Sequence, residues 1–66
     1  MPKNLEELAR MIARRDGLTY NEGVAAVHDC QIAMESAFLA GDLDGVEDAL
    51  RTELGLEPDY LDLFIM

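Results

Sequence analysis

Apolar side chains recur every three or four residues along most of this chain, which is the spacing of helices that bury one face. Capping residues and glycines divide the pattern into four segments, and no segment shows the two-residue alternation of a strand. The predicted helices begin near Leu5, Tyr20, Leu43 and Pro58, and the first three end at Gly17, Gly41 and Gly55. We therefore expect an all-α fold, a compact bundle of about four helices, two longer and two short, with residues 1–66 forming one helical domain.

The predicted helix starts carry recognisable capping signals. Asn4 with Glu7, and Thr19 with Glu22, have the spacing of a capping box, in which each side chain bonds the other residue's backbone N–H. Asp42 is a good N-cap for the third helix.

The second helix, predicted over residues 20–40, is the long central element, and its apolar face is expected to form the core. Leu43 and Ile65 are expected to turn inward from the later helices. A second, narrower apolar stripe lies on the other side of the central helix, and we expect either the first helix or a partner to cover it. The predicted core face contains Tyr20, Val24, Val27, Cys30, Met34, Ala37 and Phe38, and the narrower stripe contains His28, Ile32 and Leu39.

Charge limits the possible partners. Fourteen acidic residues against five basic ones give a net charge of −9, which repels nucleic-acid phosphates and anionic lipid head groups. No apolar run approaches the roughly 20 residues that span a bilayer. We therefore expect neither direct nucleic-acid binding nor membrane association. Most of the charge is concentrated in residues 42–62, where Arg51 is the one base against eight acids, a net of −7: Asp42, Asp44, Glu47, Asp48, Glu53, Glu57, Asp59 and Asp62.

The residues that could support catalysis or metal binding are few. The chain has one histidine, His28, and one cysteine, Cys30, and at about 100° per residue their side chains diverge by about 200° on a helix. We therefore predict no catalytic site, no metal and no cofactor. A single cysteine forms no internal disulfide and suits a reducing, cytoplasmic setting.

The acidic run has two interpretations. It is either a solvated face that keeps a small protein in solution, or a surface that binds a basic groove evolved for nucleic acid. Carboxylates one helical turn apart lie roughly 5 to 6 Å from each other, a repeat comparable with that of backbone phosphates.

Three segments, residues 4–9, 16–22 and 54–61, resemble small acidic helical proteins that tailed phages and prophages encode. Phage proteins of this size and charge include anti-CRISPR proteins, several of which imitate DNA. The resemblance implies an inhibitor that acts in the cytoplasm of an infected or lysogenic bacterium and excludes nucleic acid from a host protein such as a CRISPR effector complex. Its inhibitory surface would be the acidic run, centred on Asp44, Glu47, Asp48 and Glu53.

The alternative is a structural or regulatory interaction module of phage origin that does not imitate nucleic acid. It would use the stripe of His28, Ile32 and Leu39 to bind a protein partner, including a second copy of itself as a homodimer.

Overall fold

The computed structural model describes residues 2–65, so Met1 and Met66, the ends of the predicted domain, lie outside the described residues. Helix α1 spans Leu5–Asp16 and α2 spans Tyr20–Leu39. Helix α3 spans Leu43–Ala49 and continues into a π-helical turn, Leu50–Leu54. A 3₁₀ turn, Pro58–Leu61, leads into the short α4, Asp62–Ile65. Within residues 2–65 there is no strand, and the all-α prediction is confirmed.

The predicted caps form, with one difference at the first helix. Thr19 and Glu22 make both arms of the capping box, at 2.8 and 3.1 Å. At α1 the Asn4 side chain accepts from the Glu7 N–H at 2.9 Å, but the Glu7 carboxylate accepts from the N–H of Lys3 instead of that of Asn4. The predicted reciprocal box at α1 was therefore half wrong, because the chain before Asn4 brings a different N–H within reach of Glu7.

Glycines end three helical segments as predicted. Gly17, Gly41 and Gly55 have φ values of 69°, 75° and 65°, in the left-handed region that other residues rarely adopt. The Gly55 turn matters most for the surface described below, because it sends the chain back along α3.

The core lies where α1 and α3 pack against α2. The largest fully buried side chains are Leu8 and Ile12 from α1, Cys30 from α2, and Leu50 and Leu54 from the π-helical turn after α3. A radius of gyration of 11.2 Å matches the roughly 11 Å expected for a compact domain of this length.

Gly23 brings α1 and α2 close together. A Cβ at this position would lie 3.1 Å from that of Ala13 and would overlap the carbonyl oxygen of Ala9. Since the opposing oxygen belongs to the backbone of α1, the glycine sets how closely the two helices approach. The sequence pattern gave this residue no role.

Several residues predicted to be in the core are exposed instead. Phe38 is 65% exposed, Ile65 is 71% exposed, and Tyr20, Val24 and Leu43 are exposed as well. Helix α2 is about 30 Å long at 1.5 Å per residue, whereas α1 is about 18 Å long, so α1 covers only part of it. This length leaves Phe38 beyond the reach of α1, and the buried sector of α2 is also narrower than predicted. It contains Gly23, Val27, Cys30 and Met34.

Tyr20 has another packing partner. Its ring lies under the guanidinium of Arg10, 5.6 Å from the ring centroid, at the edge of the contact between α1 and α2. Among the described residues, no helix combines the length and apolar character needed to cross a bilayer.

Candidate functional site

All eight residues of the predicted acidic surface are exposed. The structure gathers four of them around one shallow groove beside α3. Asp44, Glu47 and Asp48 lie on α3, and Glu57 lies just after the turn at Gly55. We call this set of four carboxylates, with the Arg51 side chain between them, the acidic groove.

Local structure explains why these four meet. Asp44 is followed three and four residues later by Glu47 and Asp48, so all three project from the same side of α3. The left-handed turn at Gly55 then reverses the chain, and the buried Leu56 fixes it, because its N–H donates to the carbonyl of Leu50 at 3.2 Å. This anchor places Glu57 beside α3.

The acidic groove keeps most of its charge. Arg51 pairs with Asp48, one helical turn away, and both side chains are largely exposed. Four carboxylates against one guanidinium leave a net charge of −3. Arg51 therefore reduces the negative potential of the groove without cancelling it, and as an exposed surface pair its bond to Asp48 is worth about 1 kcal/mol or less.

Two arginines of α1 pair with acids of their own helix, although the guanidinium of Arg15 also lies beside Gly55, which lines the acidic groove. Arg10 lies 3.2 Å from Glu6, and Arg15 lies 2.8 Å from Asp16. The hydrogen bond between the latter pair raises the pKa of Arg15 and lowers the pKa of Asp16.

The other four acids of the predicted surface lie outside this groove. Asp42 caps α3, where its carboxylate accepts from the N–H of Gly45 at 2.8 Å. Asp62 borders a separate hollow that also contains Lys3. Glu53 and Asp59 are exposed elsewhere. Burial, and to a smaller extent the nearby charge of Glu53, raises the pKa of the Cys30 thiol. The structure therefore groups Glu57, and not Glu53, with the three α3 carboxylates.

The second predicted surface, on α2, is open. Ile32 is 54% exposed, Leu39 is 77% exposed, and His28 is exposed too. These side chains project away from the buried sector of α2, and α1 does not cover them, although His28 borders a hollow beside Leu5 and Glu6 of α1. The expectation that the first helix covers the stripe was therefore wrong.

An apolar groove between α2 and the C-terminal segment was not predicted. It has a volume of about 320 Å³ and is lined in part by Phe38, Val46, Leu61, Phe64 and Ile65. The sequence signal for it is the run of aromatic and aliphatic residues after Pro58, of which Ile65 was expected in the core.

Cys30 and His28 point in different directions, as their spacing predicted. Cys30 is fully buried, and its thiol lies 3.7 Å from the sulfur of Met34 and 3.7 Å from the carbonyl oxygen of Ala49. Burial raises the pKa of this thiol to about 11. In residues 2–65, no three or more His, Cys, Asp or Glu side chains are arranged to hold a metal ion.

Comparison with known proteins gives no match to a family model, to a curated protein or to a solved structure.

Proposed function

We propose that this protein binds a nucleic-acid-binding protein through the acidic groove and blocks access of nucleic acid to that partner. The observation that carries the proposal is the grouping of Asp44, Glu47, Asp48 and Glu57 along one exposed edge, with Arg51 as the one base among them. A basic cleft that binds phosphates has the complementary charge.

The groove is supported by structure that does not need to rearrange. Asp44, Glu47 and Asp48 lie on a helix capped by Asp42, and Glu57 is held by the buried Leu56. Because the backbone at these four positions is already ordered, binding costs side-chain freedom but little backbone freedom, so more of the attraction to a cationic cleft contributes to affinity.

The specific form of the proposal is a phage-type inhibitor of a CRISPR effector complex that excludes target DNA. This form is supported by the resemblance of residues 4–9, 16–22 and 54–61 to small acidic phage proteins. The inhibition needs no enzymatic step, because steric and electrostatic exclusion of DNA is sufficient.

The proposal makes association dependent on salt. Charge complementarity acts mostly on the rate of encounter, and exposed charges are screened beyond about 8 Å at physiological ionic strength. Immobilised chain should therefore capture its partner from a bacterial lysate at low salt and release it at high salt.

The decisive control in that capture experiment is a pair of variants with equal changes in charge. One variant carries Asp44→Lys and Glu47→Lys in the acidic groove, and the other carries Glu7→Lys and Asp29→Lys. Asp44 and Glu7 lie in the first turns of α3 and α1, and Glu47 and Asp29 are exposed positions further along their helices. The groove variant should lose nucleic-acid-binding proteins from the captured set while the control retains them. Equal capture by the two variants would contradict the proposal.

A further inference from the structure

The outward side of α2 carries a regular, uncovered stripe. Its positions are separated by three, four, three and four residues, the repeat with which helices form a seam against another helix. At about 100° per residue they fall within an arc of about 80°. Each of the five residues is exposed. We call them the α2 stripe: Ala25, His28, Ile32, Glu35 and Leu39.

The α2 stripe lies opposite the side of the helix that faces the core. The buried residues Gly23, Val27, Cys30 and Met34 occupy the other side of α2. Substitutions on the stripe therefore leave the core packing in place, and a partner could cover the stripe without any change in the fold.

We propose that a second copy of this chain covers the α2 stripe, with the two α2 helices antiparallel across a two-fold axis between residues 31 and 32. The charges select this occupant. Glu35 is the one carboxylate on the stripe, and His28 is the one side chain there that can donate to it or carry positive charge.

The antiparallel register brings these two groups together. His28 and Glu35 lie at equal distances, about 5 Å along the helix, on either side of the axis, and on the same edge of the stripe. The two-fold axis therefore places His28 of one copy against Glu35 of the other, twice in the dimer. In a parallel pair the two-fold axis would instead place Glu35 level with Glu35 of the other copy and His28 level with His28, so no opposite pair would form.

The apolar residues fit the same register. Ile32 lies next to the axis, where it meets Ile32 of the second copy. Along the helix axis, Leu39 of one copy and Ala25 of the other differ in position by the rise of one residue. A large side chain therefore faces a small one. One arrangement therefore satisfies the charged and the apolar positions together.

The acidic groove stays open in this dimer, because none of the residues that line it belongs to α2. The dimer does not rest on the proposed function, and each can fail without the other.

Sedimentation velocity over a range of concentrations tests the proposal on the full chain. The native chain should pass from monomer to dimer as its concentration rises, and Ile32→Glu should remain a monomer. The matched control is Leu43→Glu, an exposed apolar residue outside the stripe, which should dimerise like the native chain. A native chain that is monomeric at every concentration, or a dimer that survives Ile32→Glu, would overturn the proposal.

A charge exchange tests the register. His28→Glu places two carboxylates in contact and should raise the dissociation constant of the dimer by about tenfold or more. Glu35→Lys should also raise it, because this change removes the acceptor for His28. The double variant His28→Glu with Glu35→Lys restores an opposite pair and should recover the native dissociation constant. If the double variant is as weak as the singles, the antiparallel register is wrong. Circular dichroism of each variant verifies that the helices are intact.

Discussion

Replacing Gly23 with alanine tests how α1 and α2 pack. In an exposed helix this change would stabilise the protein by about 1 kcal/mol, because alanine has the higher helix propensity. Here the added methyl group would overlap the carbonyl oxygen of Ala9 and lie 3.1 Å from the Cβ of Ala13. Since neither the backbone oxygen nor the alanine Cβ can rotate away, α1 must move outward.

The magnitude follows from the two opposing effects. Overpacking a well-packed contact costs about 1 to 3 kcal/mol, and a clash with backbone belongs at the upper end of that range. Subtracting the propensity gain of about 1 kcal/mol leaves a net loss of about 2 kcal/mol. For a domain of this size that loss lowers the melting temperature by about 10 °C.

Urea denaturation of Gly23→Ala, followed by circular dichroism, measures the loss directly. Asp29→Ala and Asp29→Gly supply the control, because residue 29 is an exposed position on the same helix and the difference between the two variants gives the propensity effect alone. If Gly23→Ala is more stable than the parent by that difference, α1 and α2 are not in close contact at this residue.

The remaining predictions concern the cap of α2 and the buried thiol. Thr19→Ala removes the acceptor of the Glu22 N–H and should cost about 1 kcal/mol in urea denaturation, whereas the exposed Thr52→Ala should change stability by less than half as much. The backbone N–H of Thr19 lowers the pKa of Glu22 below its ordinary value of 4.5, so the bond stabilises the fold above that pH and is lost as pH falls through the lowered pKa. The stability difference between the parent and Glu22→Gln should therefore shrink in acid, and a constant difference would contradict this. Because Cys30 is fully buried, a thiol reagent should label the native chain only as fast as the chain opens, and the raised pKa of the thiol, about 11, slows labelling further. Labelling at the rate of a free cysteine at neutral pH would show that the site is open.

The sequence was sufficient to predict the helices, because their ends depend on local chemistry. Thr19 with Glu22 and the glycine at 55 act within a few residues of themselves, and the structure places a cap and a left-handed turn there. The width of the buried face was not predictable in the same way. Whether Phe38 is covered depends on how far α1 and α4 extend over α2, which is a property of the packing.

The candidate site was predictable in composition but not in grouping. The density of acids in residues 42–62 is visible in the sequence, and so is the alignment of Asp44 with Glu47 and Asp48 on one helix. That Glu57 joins them and Glu53 does not depends on the Gly55 turn and on burial of Leu56, which fold the chain back on one side of α3. Helical spacing alone cannot give that placement, since Glu57 lies beyond the helix.

Displacement of labelled duplex DNA from purified CRISPR effector complexes, followed by fluorescence anisotropy, tests the central claim most directly. The native chain should release the DNA from its target effector, at concentrations that rise with salt. The variant with Glu7→Lys and Asp29→Lys should do the same, and the variant with Asp44→Lys and Glu47→Lys should need at least about tenfold more protein. If the acidic-groove variant displaces DNA as well as the native chain, or if the native chain displaces DNA from no effector type, the proposed inhibition is wrong.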